Sequence, residues 1–184
     1  MNHGGKAETG RPFRSIVHPL IGKFAVLTLA LGLSGCFKSS APLIDKSSAS
    51  YPFETAEVKI GDEPSQILKR EGDFYRLIED GEPREASLLF YEIAENLYLV
   101  QDSRNDSETT YLFAKRDNDE IAVQNDCRNI DPGTLEKLKI EYDENRERVF
   151  FSCHVTDLKS LIDLGQSPAL WSGETTIIQI ISIE

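Results

Sequence analysis

Residues 74–92 read FYRLIEDGEPREASLLFYE, and the fold turns on how they are read. Phe74 to Glu79 is rich in the aromatic and branched side chains that suit a pleated, half-buried surface. Asp80-Gly81 then supplies the pair of residues that accept positive φ at both centres of a tight hairpin turn. The returning strand, Ala86 to Glu92 (ASLLFYE), is apolar on both faces, which places it centrally, with neighbours above and below.

Working outward, the same grammar repeats. Ala56 to Ile60 alternates apolar and polar residues and is stopped by Gly61-Asp62-Glu63-Pro64. Gln66 to Lys69 runs into the Gly72-Asp73 turn. Leu97 to Gln101 is a further strand, followed by a polar loop from Asp102 to Ser107, and Thr109 to Lys115 and Glu120 to Gln124 flank the Arg116-Asp117-Asn118-Asp119 turn. Short strands joined by tight turns, without long crossovers, predict an antiparallel meander.

The last third changes character. Asp131-Pro132 opens a helix of about two turns, with the capping residue and early proline that such a start favours. Arg148 to Val155 is a strand. Thr156-Asp157 caps a second short helix in which Leu158, Leu161, Ile162 and Leu164 share a face, with Gly165 as its stop. That face should lie on the sheet or plug the end of a barrel. Thr175 to Ile183 (TTIIQIISI) is so apolar that it should be both paired and covered. The expected fold is mainly β (α+β): an antiparallel meander sheet or small barrel, residues 51–184, with two short helices in the C-terminal third.

Cys127 and Cys153 are an even pair, most often a disulfide in an oxidising compartment. Two separate thiols, or metal or redox chemistry, are the alternatives, although the spacing is not CxxC. A period of two puts Val149, Phe151, Cys153 and Val155 on one face of their strand and His154 on the other. Cys153 should therefore point into the core.

Ahead of this domain, Phe24 to Leu33 (FAVLTLALGL) is an unbroken apolar run preceded by Arg11, Arg14 and Lys23. Basic then apolar is the order of a secretory signal, and ten residues fall short of the ~20 a membrane-spanning helix needs. The run ends in Leu33-Ser34-Gly35-Cys36. Here the chain resembles bacterial lipoproteins, whose Leu-[small]-Gly-Cys box is acylated and cleaved. The resemblance implies that residues 1–35 are a signal peptide and that Cys36 becomes the first residue, carrying diacylglyceride and, in many bacteria, an amide-linked acyl chain such as palmitate. Two or more chains give stable anchoring, at ~0.8 kcal/mol for each buried methylene. Phe37 follows the cysteine, not the Asp that retains some family members in the inner membrane, so the outer membrane is expected. Residues 36–50, with FKSSAPLIDKSSAS after the cysteine, are expected to be a flexible linker of on the order of 20 Å.

Of 184 residues, 149 remain from Cys36 onward, enough for one domain with a proper core. That part carries 16 basic and 30 acidic side chains, a net of −14. So acidic a surface repels phosphate backbones, which excludes nucleic acid as a partner, and repels anionic headgroups too. His3 and His18 precede the box, leaving His154 as the single histidine of the mature part, without a GxSxG elbow, HExxH, Walker loop or GxGxxG anywhere. The acidic loops, Asp102 and Asp106 at one sheet end and Asp117, Asp119 and Glu120 at the other, do not match a calcium loop. They are expected as solvated turns, and Trp171 as a core or lid aromatic rather than a sugar platform.

No catalytic residue, metal or cofactor is expected, and the mature domain resembles small envelope lipoproteins only in general style. The function expected is a lipid-anchored, non-enzymatic binding or structural module of the cell envelope, facing the periplasm, with an envelope protein as its partner. The rival is a lipocalin-like carrier, in which the meander closes into a barrel around an apolar small ligand.

Overall fold

A computed structural model of the chain describes residues 1, 37–105, 108–143 and 152–184. Leu33-Ser34-Gly35-Cys36 and the apolar run before it lie outside them, as do Asp106, Val149 and Phe151. At the hairpin that anchored the sequence reading, Asp80 and Gly81 adopt φ of 52° and 82°, as a turn with two left-handed centres requires. They join β4 (Phe74–Glu79) to β5 (Glu82–Ala94), with Glu79 opposite Glu82.

The same antiparallel logic extends through β2 (Thr55–Lys59), β3 (Gln66–Glu71), β6 (Leu97–Asn105), β7 (Glu108–Asp117) and β8 (Glu120–Gln124). The last strand, β11 (Thr176–Ile183), pairs with β8 on one side and β2 on the other. This closes an eight-stranded antiparallel barrel in the order β2-β3-β4-β5-β6-β7-β8-β11. Of the two expected architectures, sheet or small barrel, the barrel is the one formed. Closure removes the free edges that an open sheet would leave exposed.

Outside the barrel wall lie β1 (Phe37–Ser39), β9 (Glu141–Asp143), β10 (Ser152–His154) and two short helices, α1 (Pro132–Lys137) and α2 (Leu158–Gly165). One edge of β7 is shared. Its second half, Phe113–Asp117, pairs with β8, while Thr109–Tyr111 pairs with β1, which continues into β10 and β9. The helices are capped as the sequence predicts: Asp131 Oδ2 accepts the Thr134 amide at 3.0 Å and Asp157 Oδ1 accepts the Ser160 amide at 2.9 Å.

Two apolar cores follow from this arrangement. Inside the barrel, Tyr75, Leu88, Phe90, Val100 and Leu112 pack together. Alternate residues of the same strands, Leu89, Leu99, Tyr111 and Phe113, point outward and are covered by α2 through Leu161 and Leu164, by Phe37 and by the cysteine pair. Strands β5 to β7 are thus buried on both faces, which is why ASLLFYE reads as a continuous apolar run. Helix α2 lies on the outer wall and does not plug the barrel end. Gly165 is the last residue of that helix and does not end it through a left-handed conformation. Its lack of a side chain lets the helix approach the wall: a Cβ there would sit 2.7 Å from Ile93 Cδ1 and 3.0 Å from the Phe113 ring.

Three expectations need correction, and one strand was not anticipated. The stretch after Cys36 is not a flexible linker. Phe37 is fully buried, Ile44 is buried, and the amides of Leu43 and Ile44 both donate to Gln101 Oε1, at 3.0 and 2.8 Å. Its average composition is polar, but Phe37 and Ile44 enter the outer core, Leu43 packs against it, and its backbone finds partners on β7, β10 and Gln101. Asp102 is not in a loop, because β6 runs on to Asn105 and Asp102 is buried within it. Glu141–Asp143 forms an edge strand too short to show a period. The final strand is paired on both edges yet covered only on its inner face, leaving Ile177 and Ile181 at 43% and 53% exposure.

Candidate functional site

The barrel interior is the natural place to look for a ligand. An eight-stranded barrel is just wide enough either to fill with its own side chains or to hold one small molecule. At the end where Thr55 and Ile183 lie, the segment Ser50–Glu54 crosses the mouth. Ser50 forms a bridge with Phe90, and its hydroxyl accepts the Glu92 amide at 3.2 Å. Deeper in, the fully buried Tyr75 donates its hydroxyl to the Phe53 carbonyl at 2.5 Å and accepts the Phe53 amide at 3.3 Å. Burial raises the Tyr75 pKa, against the opposing pull of the hydrogen bond it accepts from the Phe53 amide, so the phenol stays a donor at neutral pH. The Phe53 ring packs against both Tyr75 and Phe90, with centroids 4.6 and 5.8 Å away, and those two rings also touch each other at 5.0 Å.

Among the described residues the interior holds a cavity of about 50 Å³, lined by Phe53, Val58, Leu68, Phe90 and Ile121, with Arg116 as its charged member. Pockets for drug-sized ligands run to roughly 300–1,000 Å³. Arg116 is itself exposed and donates Nε–H to the Asn118 carbonyl at 3.1 Å. The barrel is therefore filled by its own aromatic side chains.

The cysteine pair sits in the outer core. Cys127 and Cys153 are both fully buried, with their Sγ atoms at disulfide-bonding distance and Cα atoms 6.4 Å apart. Such a bridge ties the loop after β8 to β10. Nearby, Gln124 fastens the same loop to the approach of β11, donating to the Leu170 and Glu174 carbonyls and accepting the Asp126 amide. Burial pushes the Asp126 carboxyl up, but the side-chain and backbone hydrogen bonds from Arg128 outweigh it and hold the group below its ordinary range.

The other sequence candidates are not brought together. His154 is exposed on β10, facing away from Cys153. Asp117, Asp119 and Glu120 are exposed at the β7–β8 turn, where Asp117 accepts from the Asn118 side chain. Among the described residues no group of three or more His, Cys, Asp or Glu is placed to hold a metal, and no helix is long and apolar enough to cross a membrane. Trp171 is half-buried against the outer core, its indole N–H donating to the Gly165 carbonyl at 2.9 Å. Sequence reasoning missed the Ser50–Glu54 strap, whose one local signal was the aromatic pair Tyr51 and Phe53 around Pro52. It also missed the exposed isoleucines of β11. Comparison with protein-family models, curated proteins and solved structures finds no match for this chain.

Proposed function

We propose that this chain is a lipid-anchored protein of the cell envelope, held through Cys36 on the periplasmic side of the outer membrane, and that its barrel is a non-enzymatic binding or structural module. The observation that carries the module reading is the packing of the barrel interior: Phe53, Tyr75 and Phe90 pack against one another, and the cavity beside them among the described residues is about 50 Å³. A barrel filled in this way presents its outer surface to partners, and the exposed Ile181 on that surface suits a protein contact. The anchor reading rests on Leu33-Ser34-Gly35-Cys36 and the basic-apolar segment before it. Metabolic labelling with a fatty-acid probe tests it: wild type is labelled and partitions into detergent, and Cys36→Ser does neither. An unlabelled wild type, or a Cys36→Ser protein that partitions as before, overturns it.

A second reading, the lipocalin-like carrier of an apolar ligand, draws support from the apolar lining and from Arg116 beside it. It requires the Phe53 strap to swing out. Titration with an environment-sensitive apolar dye decides between the two: saturable binding to the wild-type protein that Arg116→Ala weakens favours the carrier, and no saturable binding favours the filled module.

A further inference from the structure

Phe37, one peptide bond after the proposed anchor, is already part of the barrel's packing. Consecutive Cα atoms are about 3.8 Å apart, so a lipid on Cys36 is attached directly at Phe37. Phe37 is fully buried and lies between β7 and β10, opposite Tyr111 and Cys153. No spacer separates this folded residue from the anchor. We propose that the barrel rests on the bilayer by the flank that carries β1 and Trp171, with lipid headgroups as the partner of that flank; this rests on the lipid anchor proposed above.

Three observations give the flank its character. Phe37 packs edge to face on Phe113, and Gly165, which receives the Trp171 indole N–H, lies against the same Phe113 ring. Trp171 is thereby tied to the place where the chain joins the barrel. Lys115 Nζ stands 6.0 Å from the Trp171 ring, and Lys115 is followed across the wall by Ala122 and the exposed Ile177 in one register row. A half-buried indole, a lysine with a long apolar stem and an exposed isoleucine are side chains that suit a headgroup layer. The strong negative charge elsewhere favours zwitterionic over anionic lipid.

Trp171 is the single tryptophan and serves as the reporter. The full chain is produced in a bacterium, purified from membranes and reconstituted into phosphatidylcholine vesicles carrying dansyl-labelled headgroups. Energy transfer from Trp171 is expected to exceed that from a Trp171→Phe, Ile67→Trp protein, because Ile67 is exposed on β3, four strands from β7 around the ring. Inserting about 14 Gly/Ser residues between Cys36 and Phe37, a tether of on the order of 20 Å, is expected to abolish most of the Trp171 transfer while the protein still floats with the vesicles. Transfer from Trp171 no greater than from position 67, or transfer unchanged by the insertion, overturns the proposal with the anchor intact. The acyl mass on Cys36 is measured on the same samples, and its absence overturns the anchor itself.

Discussion

Phe37 and Phe113 meet edge to face, their ring centroids 5.4 Å apart and their planes at 87°. One is the first residue after Cys36 and the other lies near the middle of a barrel strand. Their contact joins the residue next to Cys36 to the outer core shared by α2 and the cysteine pair.

Phe37→Ala is expected to cost about 3–5 kcal/mol, the range for removing a fully buried phenylalanine. The exposed Ser47→Ala in the same stretch should stay within about 0.5 kcal/mol of wild type. Urea unfolding measures both. Equal, small effects would return residues 37–50 to a tether.

Bridging Cys127 to Cys153, 26 residues apart, restricts the unfolded chain by about 3.5 kcal/mol in the loop-entropy account. Unfolding with and without reductant should show a loss of that order. A midpoint indifferent to reductant would mean the thiols are not bonded in the purified protein.

Gly165→Ala has two opposed consequences. Alanine favours a helix over glycine by about 1 kcal/mol, but the new methyl meets Ile93 and the Phe113 ring at 2.7 and 3.0 Å. Ile93 can turn away at its flexible end, whereas the ring is packed in the core. Overpacking of roughly 1–3 kcal/mol should win, lowering the melting temperature, and a stabilised variant would show that α2 sits less tightly than described.

Asp157 has its carboxyl held below the ordinary range, chiefly by the backbone amide of Ser160. A folded-state pKa below the unfolded one means that the cap adds stability above about pH 4 and loses it as the pH falls through the folded value. Asp157→Asn keeps a cap without a titrating charge and should flatten that part of the stability profile. Asp157→Ala should cost about 1 kcal/mol at pH 7. Thermal melts from pH 7 to pH 2 measure both, and an unchanged slope in the Asn variant would remove the capping account.

Strand β4 and the Asp80-Gly81 turn were legible in the chain because their signals are local: branched and aromatic residues, then two that tolerate positive φ. The same holds for β8, for the caps at Asp131 and Asp157, and for the inward side of Cys153, which period two alone assigns. Residues 37–50 were misread for the opposite reason. Phe37, Leu43 and Ile44 gain burial from β7, β10 and Gln101, which come from 50 or more residues away, so no window of local composition could reveal it. Closure belongs to the same class. Whether β11 covers its apolar residues or pairs with both β2 and β8 depends on the strands coiling until first and last meet, and that coiling leaves Ile177 and Ile181 facing outward. The amino-acid order alone settled strands such as β4 and β8, their turns and the helix caps, since each depends on neighbours along the chain. Only the tertiary structure decided that the sheet closes, that Phe53 enters its interior, and that Phe37 is packed into the fold, because those outcomes depend on residues brought together from opposite ends of the molecule.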